Sequence, residues 1–368
     1  MDRVLVFVED PGAAAYIASV PDLLRARGAE VTVMATGPAR DVLTNADTPF
    51  TDVSTARGHL WEPAPDIVVV GTAENPDTIG LRLIEDARRA LIPTVGFVDA
   101  PSNAAARFRG RTDRALAFCP DRLLVPDRLT RTRFEELGLP SARIAVCGHP
   151  RHDDVRAHAR RRAGQRGELR ARLWPDVGVD TRLVLFAAEL SDGLDPQEYR
   201  RSAAYTLAGR GESDGRTEIV LEELIDAMAP WRDRSHLVLR LHPKHPEDAL
   251  RTYRHEVDAI SRGGSALDIL LTADLVVGMS SLLLVEALLT GVPVLSVLPR
   301  DRECEWLSAV AAGAVPTVNR RQGLRDRLDQ FFRNRWVGAS DDAVAACCPE
   351  GAAVRVAEEV LTTARRRH

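Results

Sequence analysis

The chain is poor in aromatic residues, in cysteine and in long apolar runs. Aromatic residues make up 5% of its 368 residues, and its five cysteines include no Cys-x-x-Cys pair. No stretch approaches the ~20 apolar residues that span a bilayer, and the first residues form an apolar strand pattern rather than a signal peptide. We therefore expect reduced thiols, no zinc motif, no integral membrane association and a cytoplasmic location.

An excess of charge of either sign is also missing. The chain has 53 acidic and 49 basic residues, which leave a formal net charge of -4. Such a chain has no overall electric field that would hold it on a polyanion, so we expect no nucleic-acid partner. Its length exceeds the ~100–150 residues of a usual domain, and two domains are expected.

Several motifs of common enzymes do not occur. The chain has no Gly-x-Gly-x-x-Gly, Walker loop, Gly-x-Ser-x-Gly or His-Glu-x-x-His, which argues against P-loop NTPases, serine hydrolases and zincins. His149, His152 and Asp153 are conceivable metal ligands, but their spacing matches none of the usual zinc patterns. A turn between domains is the favoured interpretation there, and neither a metal nor a cofactor is expected.

What the chain does have is a regular alternation of short apolar strands with helical periodicity. This pattern is typical of parallel sheets with crossover helices, so we predict an α/β fold of two tandem Rossmann-like domains facing each other across a cleft. The predicted strands are 3–8, 31–35, 66–71, 94–98, 123–125, 143–146, 182–187, 236–241, 274–278 and 292–297. The main predicted helices are 13–27, 79–90, 218–228, 282–289 and 352–367.

These elements give the predicted domain boundaries. One Rossmann-like domain covers 1–155, an arginine-rich connecting segment covers 156–180, a second Rossmann-like domain covers 181–345, and a helical segment covers 346–368. Within the second domain, the polar stretch 194–217 lacks apolar periodicity and is predicted to be a mobile loop.

The strand 236–241 ends in a cluster of basic side chains. Arg240, His242 and Lys244 follow one another there, and Lys244 is the sole lysine of the sequence. Pro243 stops the strand and turns these side chains outward, where they can donate hydrogen bonds to phosphate oxygens. The alternative is a surface turn that is basic by chance.

A second candidate phosphate site follows the strand 274–278. Ser280 and Ser281 precede an apolar helix, and they can cap it while its amino-terminal end holds a phosphate. Glu286 in that helix is interpreted as a carboxylate at the rim of the site that accepts hydrogen bonds from a ribose, with a solvated carboxylate as the alternative. Glu189, after the strand 182–187, is a further candidate substrate-binding residue.

Carboxylates also follow two strands of the first half. Glu9, Asp10 and Gly12 come after the first strand, and Asp99 and Asn103 come after the strand 94–98. Glycine lets a substrate approach the backbone closely, and a partly desolvated carboxylate can take a proton from an acceptor hydroxyl. Asp10 and Asp99 are the two candidates for a catalytic base, although Asp10 can equally be a helix cap.

Taken together, these stretches resemble the GT-B glycosyltransferase superfamily. The segment 121–153, with Leu-Leu-Val-Pro-Asp and Cys-Gly-His-Pro-Arg-His-Asp, is similar to the part leading into the interdomain linker in lipid A disaccharide synthases and UDP-N-acetylglucosamine 2-epimerases. The segment 273–295 is similar to the GT-B nucleotide-binding segment. His242-Pro243 with Ser280-Ser281 also resembles motifs of bacterial sialyltransferases and of CDP-glycerol glycerophosphotransferases.

The resemblance implies a function and a role for each half. It implies a metal-independent glycosyltransferase whose first domain binds the acceptor and whose second domain binds a UDP-sugar or CMP-sugar donor. By this resemblance, Ser280 and Ser281 would bind the phosphate of the donor and Glu286 would bind its ribose. A homodimer is possible, and no partner besides donor and acceptor is expected.

Three other functions stay open at this point. They are a non-hydrolysing UDP-N-acetylglucosamine 2-epimerase, a glycerophosphotransferase that uses CDP-glycerol, and a nucleotide-sugar-binding protein without activity. The epimerases have Asp-Ser-Gly-Gly where this chain has Gly278-Met279-Ser280-Ser281, and the glycerophosphotransferases usually have an acidic residue before the serines. The first departure weakens the epimerase interpretation, and together the two leave the identity of the donor open.

Overall fold

The computed structural model describes residues 1–56, 60–73, 75–190 and 196–365. The chain divides into two compact units. Unit 1 consists of Met1–Asp154 together with Cys348–His368, and unit 2 is Val155–Cys347.

Unit 1 is built on a parallel sheet of seven strands. Their order in the sheet is β3-β2-β1-β4-β5-β6-β7. The central strands are apolar along their whole length because helices cover both faces, as for Ile67–Gly71, where all five residues are buried. The strands are β1 Arg3–Val8, β2 Glu30–Ala35, β3 Thr51–Asp52, β4 Ile67–Gly71, β5 Thr94–Phe97, β6 Arg122–Val125 and β7 Ile144–Val146.

Unit 2 repeats this plan with a parallel sheet of six strands. Their order is β10-β9-β8-β11-β12-β13, which is the strand order of a Rossmann fold. The strands are β8 Arg182–Ala187, β9 Ser235–Arg240, β10 Ala259–Ser261, β11 Leu275–Gly278, β12 Val294–Val297 and β13 Thr317–Val318.

The α-helices connect and cover these strands. They are α1 Pro11–Ile17, α2 Val20–Ala26, α3 Ala39–Asn45, α4 Ile79–Arg89, α5 Arg128–Glu136, α6 Pro150–Arg161, α7 Arg166–Leu173, α8 Arg216–Met228, α9 Ala266–Thr272, α10 Leu282–Leu289, α11 Ser308–Ala311, α12 Arg321–Phe332, α13 Asp341–Cys347 and α14 Ala352–Arg365. Short 3-10 helices lie at Ala104–Ala106, Ser141–Arg143, Pro196–Tyr199, Ala229–Arg234, Arg251–Tyr253 and Asp301–Trp306.

The single helix predicted for 13–27 is wrong, because two helices stand there. Helix α1 ends at Ile17 and α2 begins at Val20. Pro21 lies in the first turn of α2. Proline has no N–H and its ring clashes with the carbonyl four residues earlier, so a continuous helix would be broken at this point, whereas the first turn of a new helix accepts it.

The arginine-rich stretch predicted as a separate linker, 156–180, lies in unit 2. Its side chains are fixed by two aspartates: His158 contacts Asp268 at 2.8 Å, and Arg166 and Arg170 contact Asp274 at 2.7 and 2.8 Å. Burial alone would raise the pKa of the Asp274 carboxyl, but the hydrogen bonds from these arginines and from a backbone N–H lower it. His158 therefore ties the end of α6, and the two arginines tie α7, to the rest of unit 2.

Helix α14 returns the chain to unit 1. Its apolar residues Val356, Val360 and Leu361 are buried in the same core as β1 and helices α1 to α3. The predicted helix 352–367 is present as far as Arg365, and 366–367 lie outside the described residues. One face of the first sheet is thus closed by a segment that follows all of unit 2 in sequence.

The polar stretch 194–217, predicted to be a mobile loop, is anchored where the structure describes it. Glu222 and Glu223 of α8 are 5% and 1% exposed. Glu222 accepts hydrogen bonds from the backbone N–H of Arg210 and the hydroxyl of Tyr253, both at 2.7 Å, and Glu223 accepts one from the N–H of Gly209 at 2.9 Å. Buried carboxylates are stable only with such partners, so 207–213 wraps around them. Residues 194 and 195 are outside the described part.

In the parts of the chain that the structure describes, no helix has both the length and the apolar character needed to cross a membrane.

Candidate functional site

The candidate residues of unit 2 gather at one edge of its sheet. Strands β9, β8 and β11 are neighbours in that order, so the segments after their carboxyl ends lie side by side. His242 and Lys244 follow β9, Glu189 follows β8, and Ser280 and Ser281 follow β11. The strand order reverses between β8 and β11, and open α/β sheets bind ligands at this kind of switch point.

The turn between β11 and α10 contains an anion-binding site. Its donors are the backbone N–H groups of Met279 and Ser280, the hydroxyl of Ser280 and the guanidinium of Arg216. The carboxylate of Glu189 occupies it: Oε1 accepts from the two N–H groups at 3.0 and 2.7 Å, and Oε2 accepts from the hydroxyl and from Arg216 Nη1, both at 2.9 Å. Glu189 therefore binds the protein's own donors.

Arg216, the first residue of α8, is the centre of a buried ion network. Its side chain is fully buried and lies between Glu189 at 2.9 Å and Glu303 at 2.6 Å. Burial alone would lower the pKa of the guanidinium, but the two carboxylates outweigh this effect and raise it. Arg216 is therefore positively charged at neutral pH.

Glu303 extends the network to a second buried arginine. Arg300 contacts Glu303 at 2.6 Å and Glu198 at 3.5 Å. The ring of Trp306 lies 5.0 Å from the guanidinium of Arg216 and 5.4 Å from that of Arg300, distances at which a cation is attracted to an aromatic face. The network fixes the position of Arg216 from three sides.

The start of α10 offers further donors beside this network. Ser281 is the N-cap of α10 and accepts from the N–H of Leu283 at 3.2 Å, as predicted for a capping serine. The N–H groups of Ser281 and Leu282 make no hydrogen bond within the described ranges. Glu286 of the same helix is half-buried.

The basic turn after β9 is ordered by its two histidines. The N–H of Lys244 donates to Nδ1 of His242 at 3.1 Å, and the N–H of His242 donates to Nδ1 of His245 at 2.9 Å. A neutral His242 then has its proton on Nε2 and remains a donor through that atom. Arg240 points elsewhere: it is buried and donates to Ser261 Oγ at 2.9 Å and to a loop carbonyl.

In unit 1, Asp99 lies above the start of α1. Its carboxylate is 15% exposed and lies 3.3 Å from Nη2 of Arg107. Arg107 also donates to Thr72 after β4, at 3.2 Å, and to the carbonyl of Ser102. A Cβ added to Gly12 would overlap Oδ2 of Asp99, so glycine is required there for the carboxylate to approach the backbone.

The other candidate residues of unit 1 are Glu9, Asp10 and Asn103, and each has different surroundings. Glu9 accepts from Asn75 Nδ2 at 2.9 Å and from the hydroxyl of Thr78, so it ties two loops together. Asp10 is the N-cap of α1, although its side chain accepts no capping hydrogen bond. Asn103 is exposed and has a positive φ of 57°.

His149, after β7, is a buried histidine of unit 1. Its Nδ1 accepts from the N–H of Arg151 at 3.2 Å, and its ring lies 4.8 Å from Tyr16 and 4.9 Å from His152. Asp153 accepts from the N–H groups of Gly351 and Ala353. In the described residues, no group of three or more histidine, cysteine or acidic side chains is placed to hold a metal ion.

We expect His149 to make folding sensitive to acid. Burial, with Arg151 adding to it, lowers the pKa of its imidazole to about 3, whereas an unfolded histidine has a pKa of about 6.5. Between pH 6.5 and pH 3 only the unfolded chain takes up this proton. The free energy of unfolding is therefore highest above pH 6.5 and falls on acidification, by up to about 1.4 kcal/mol per pH unit. Urea unfolding at pH 7.5 and 5.5 should show a smaller pH dependence in His149→Asn. Equal pH dependence in both proteins would contradict this expectation.

Sequence reasoning did not identify Arg216, Glu303, Arg300 or Arg107. In a chain where nearly every basic residue is arginine, a single arginine carries no signal. The position of Arg216 at the start of α8 resembles that of any solvent-facing helix residue. Only the fold brings it to the end of β8.

No protein-family model and no curated protein matches the chain. Solved structures match it along almost its whole length. The UDP-GlcNAc 2-epimerase of Neisseria meningitidis, bound to UDP-GlcNAc, has a TM-score of 0.67 and 16% identity and covers 98% of this chain and 100% of its own. The UDP-GlcNAc 2-epimerase of Methanocaldococcus jannaschii, in complex with UDP-GlcNAc and UDP, has a TM-score of 0.65 and 13% identity, with coverage of 98% and 99%.

A glycosyltransferase from Rickettsia africae is also similar, with a TM-score of 0.59, 11% identity and coverage of 100% of this chain and 96% of that one. Likeness at such identities concerns the fold. The chain has the α/β fold of these proteins, with two Rossmann-like domains, and the predicted α/β class and the two tandem domains are confirmed.

Proposed function

We propose that the protein is a glycosyltransferase that moves a sugar from a nucleotide-activated donor to a hydroxyl or amine acceptor without a metal ion. The observation that carries this proposal is the set of donors at the switch point of the second sheet. The N–H groups of Ser281 and Leu282 make no hydrogen bond in the described residues, and the turn formed by His242 and Lys244 follows β9, two strands away at the same edge of the sheet. Such a group of donors suits the phosphates of a nucleotide.

In this proposal unit 2 binds the donor. Lys244 supplies a positive charge, His242 donates from Nε2, and the start of α10 offers its backbone N–H groups and its partial positive charge. These groups offset the negative charge that develops on the leaving nucleotide as the sugar departs. Glu286, on the same helix, accepts hydrogen bonds from the ribose hydroxyls.

Unit 1 binds the acceptor, and Asp99 is the base. Its carboxylate is held by Arg107 at 3.3 Å and is only 15% exposed, so it is oriented and partly desolvated. A carboxylate in this state can take the proton from an acceptor hydroxyl as the new glycosidic bond forms. Asp10 is the second candidate for this role.

A 2-epimerase is the alternative that the comparisons favour, because similar structures are named UDP-GlcNAc 2-epimerases. The two reactions change different bonds: transfer breaks the C1–O bond between the sugar and the nucleotide, and epimerisation inverts the configuration at C2. Epimerisation breaks the C2–H bond of the sugar, so turnover in D2O places deuterium at C2, whereas transfer releases the nucleotide and leaves that bond intact. NMR of the sugar after incubation of UDP-GlcNAc with the protein in D2O distinguishes them.

The first test is a thermal-shift screen with UDP, CMP, CDP, GDP and dTDP, with and without Mg²⁺. A ligand at a hundredfold excess over its Kd stabilises the folded state by about 2.7 kcal/mol, which a melting curve resolves. We expect one nucleotide to stabilise the wild type without Mg²⁺ and to stabilise Lys244→Ala clearly less. If no nucleotide raises the melting temperature, the proposed function is wrong.

Gly12→Ala should reduce turnover without unfolding the protein. The new Cβ overlaps Oδ2 of Asp99, so the carboxylate must move, and a displacement of about 1 Å at a reacting group can cost on the order of 100-fold in rate. Gly167→Ala is the matched control, because its Cβ would meet nothing within 4 Å. Wild-type turnover in both variants, measured with the donor selected by the screen, would count against Asp99 as the base.

A further inference from the structure

We propose that Glu189 is an internal anion that competes with the phosphate of the ligand for the anion-binding site of the β11–α10 turn. This inference rests on the proposed function, since it concerns how the same site selects its ligand. It differs from the expectation that Glu189 binds the substrate directly.

The contacts of Glu189 are those of a ligand in an anion site. Two backbone N–H groups, one hydroxyl and one guanidinium converge on its carboxylate at 2.7 to 3.0 Å. A carboxylate and a phosphate accept hydrogen bonds from the same donors, and a guanidinium and a helix-start turn suit either. An anion from the protein therefore fills a site whose chemistry is that of a phosphate site.

Glu189 also balances the charge of the buried network. There the guanidinium groups of Arg216 and Arg300 form ion pairs with the carboxylates of Glu189 and Glu303. These four charges cancel, so the filled site has no net attraction for an anion. Without the charge of Glu189, the same four positions would have a net charge of +1.

The remaining donors of the turn lie beside those that Glu189 binds. The N–H groups of Ser281 and Leu282 follow directly after those that Glu189 occupies. A phosphate bound to them would lie next to the carboxylate of Glu189, and two anions at that separation disfavour each other. Full engagement of a phosphate at this turn therefore requires Glu189 to leave, and its side chain is 15% exposed rather than enclosed.

Competition of this kind makes the site selective. A free phosphate or pyrophosphate can displace Glu189 only through the interactions of its phosphate groups. A nucleotide gains additional binding free energy from the contacts of its base and ribose, and this can offset the displacement of Glu189. The protein would thus bind nucleotides in the presence of inorganic phosphates.

The experiment measures the affinity of pyrophosphate, UDP and uridine by calorimetry for the wild type, Glu189→Gln and Glu189→Ala. We expect both variants to bind pyrophosphate and UDP at least tenfold more tightly than the wild type, with uridine unchanged because it has no phosphate. Glu198→Gln is the matched control: it removes a carboxylate that pairs with Arg300 and Arg302 in the same network but lies outside the anion-binding site. It should bind all three ligands as the wild type does.

Unchanged or weaker binding of pyrophosphate in a folded Glu189→Gln protein would overturn the inference. If UDP binds the wild type and both variants equally, the proposed function stands and the competition is refuted. If pyrophosphate binding rises tenfold while neither UDP nor any other nucleotide of the screen binds better than pyrophosphate, the competition stands and the nucleotide function is refuted. Should the variants fail to fold, the amide resonances of Met279 and Ser280 in the wild type must shift at saturating UDP, and their constancy refutes the competition.

Discussion

Asp99→Asn should lower kcat by 10²- to 10⁴-fold and leave nucleotide affinity unchanged. This range is the usual contribution of a positioned general base. Asparagine keeps the shape of the side chain and can still contact Arg107, so the loss reports the missing basic oxygen rather than a collapsed site. Nucleotide affinity is unaffected because the donor is assigned to residues of unit 2, while Asp99 belongs to unit 1.

The control for this result is Asp10→Asn. Asp10 is the N-cap of α1, and asparagine is an equally favourable residue at that position, so the replacement removes a carboxylate from the same edge of the sheet and keeps a suitable cap. We expect kcat to fall much less in this variant than in Asp99→Asn. A larger loss for Asp10→Asn would transfer the role of base to Asp10, and full activity in both variants would contradict a carboxylate base at this edge of the sheet.

Arg216→Met should destabilise the protein by about 3–5 kcal/mol, the usual result of removing one partner of a buried ion pair. The side chains of Arg216 and Glu303 are 0% exposed, so water cannot replace the ion pair that Glu303 loses. For a chain of this size the melting temperature should fall by on the order of 10 °C. Thermal unfolding followed by circular dichroism measures the change.

Two further variants test the explanation of that loss. Arg302→Ala removes an arginine of the same network whose side chain is 58% exposed, and surface ion pairs contribute about 0–1 kcal/mol, so its melting temperature should stay near that of the wild type. The double variant Arg216→Met, Glu189→Gln should regain part of the stability, because one stranded carboxylate becomes neutral. If Arg216→Met melts like the wild type, the buried network does not stabilise unit 2.

The central strands could be derived from the sequence because they are buried on both faces. Strands β1 and β8 and helix α10 begin and end at the predicted residues. The short edge strands β3, β10 and β13 were not predicted, since a strand of two or three partly exposed residues has no apolar pattern to recognise.

The candidate site was predictable only where it follows a strand in sequence. Ser281 follows β11 and Asp99 follows β5, and both lie where a parallel sheet places functional groups. Glu189 and Arg216 were different, because their relation depends on a contact between the end of one strand and the start of a helix 27 positions later. The sequence contains both residues but not the contact between them.

Helix α14 has a consequence for how the protein is made on the ribosome. Unit 1 begins at Met1, yet the helix that completes its core is translated after the roughly 190 residues of unit 2. At synthesis rates of about 5–20 residues per second, the apolar face of the first sheet stays exposed for on the order of 10–40 s before helix α14 is synthesised. During this interval unit 2 can fold as a continuous chain, while the nascent unit 1 is the part that needs protection by chaperones.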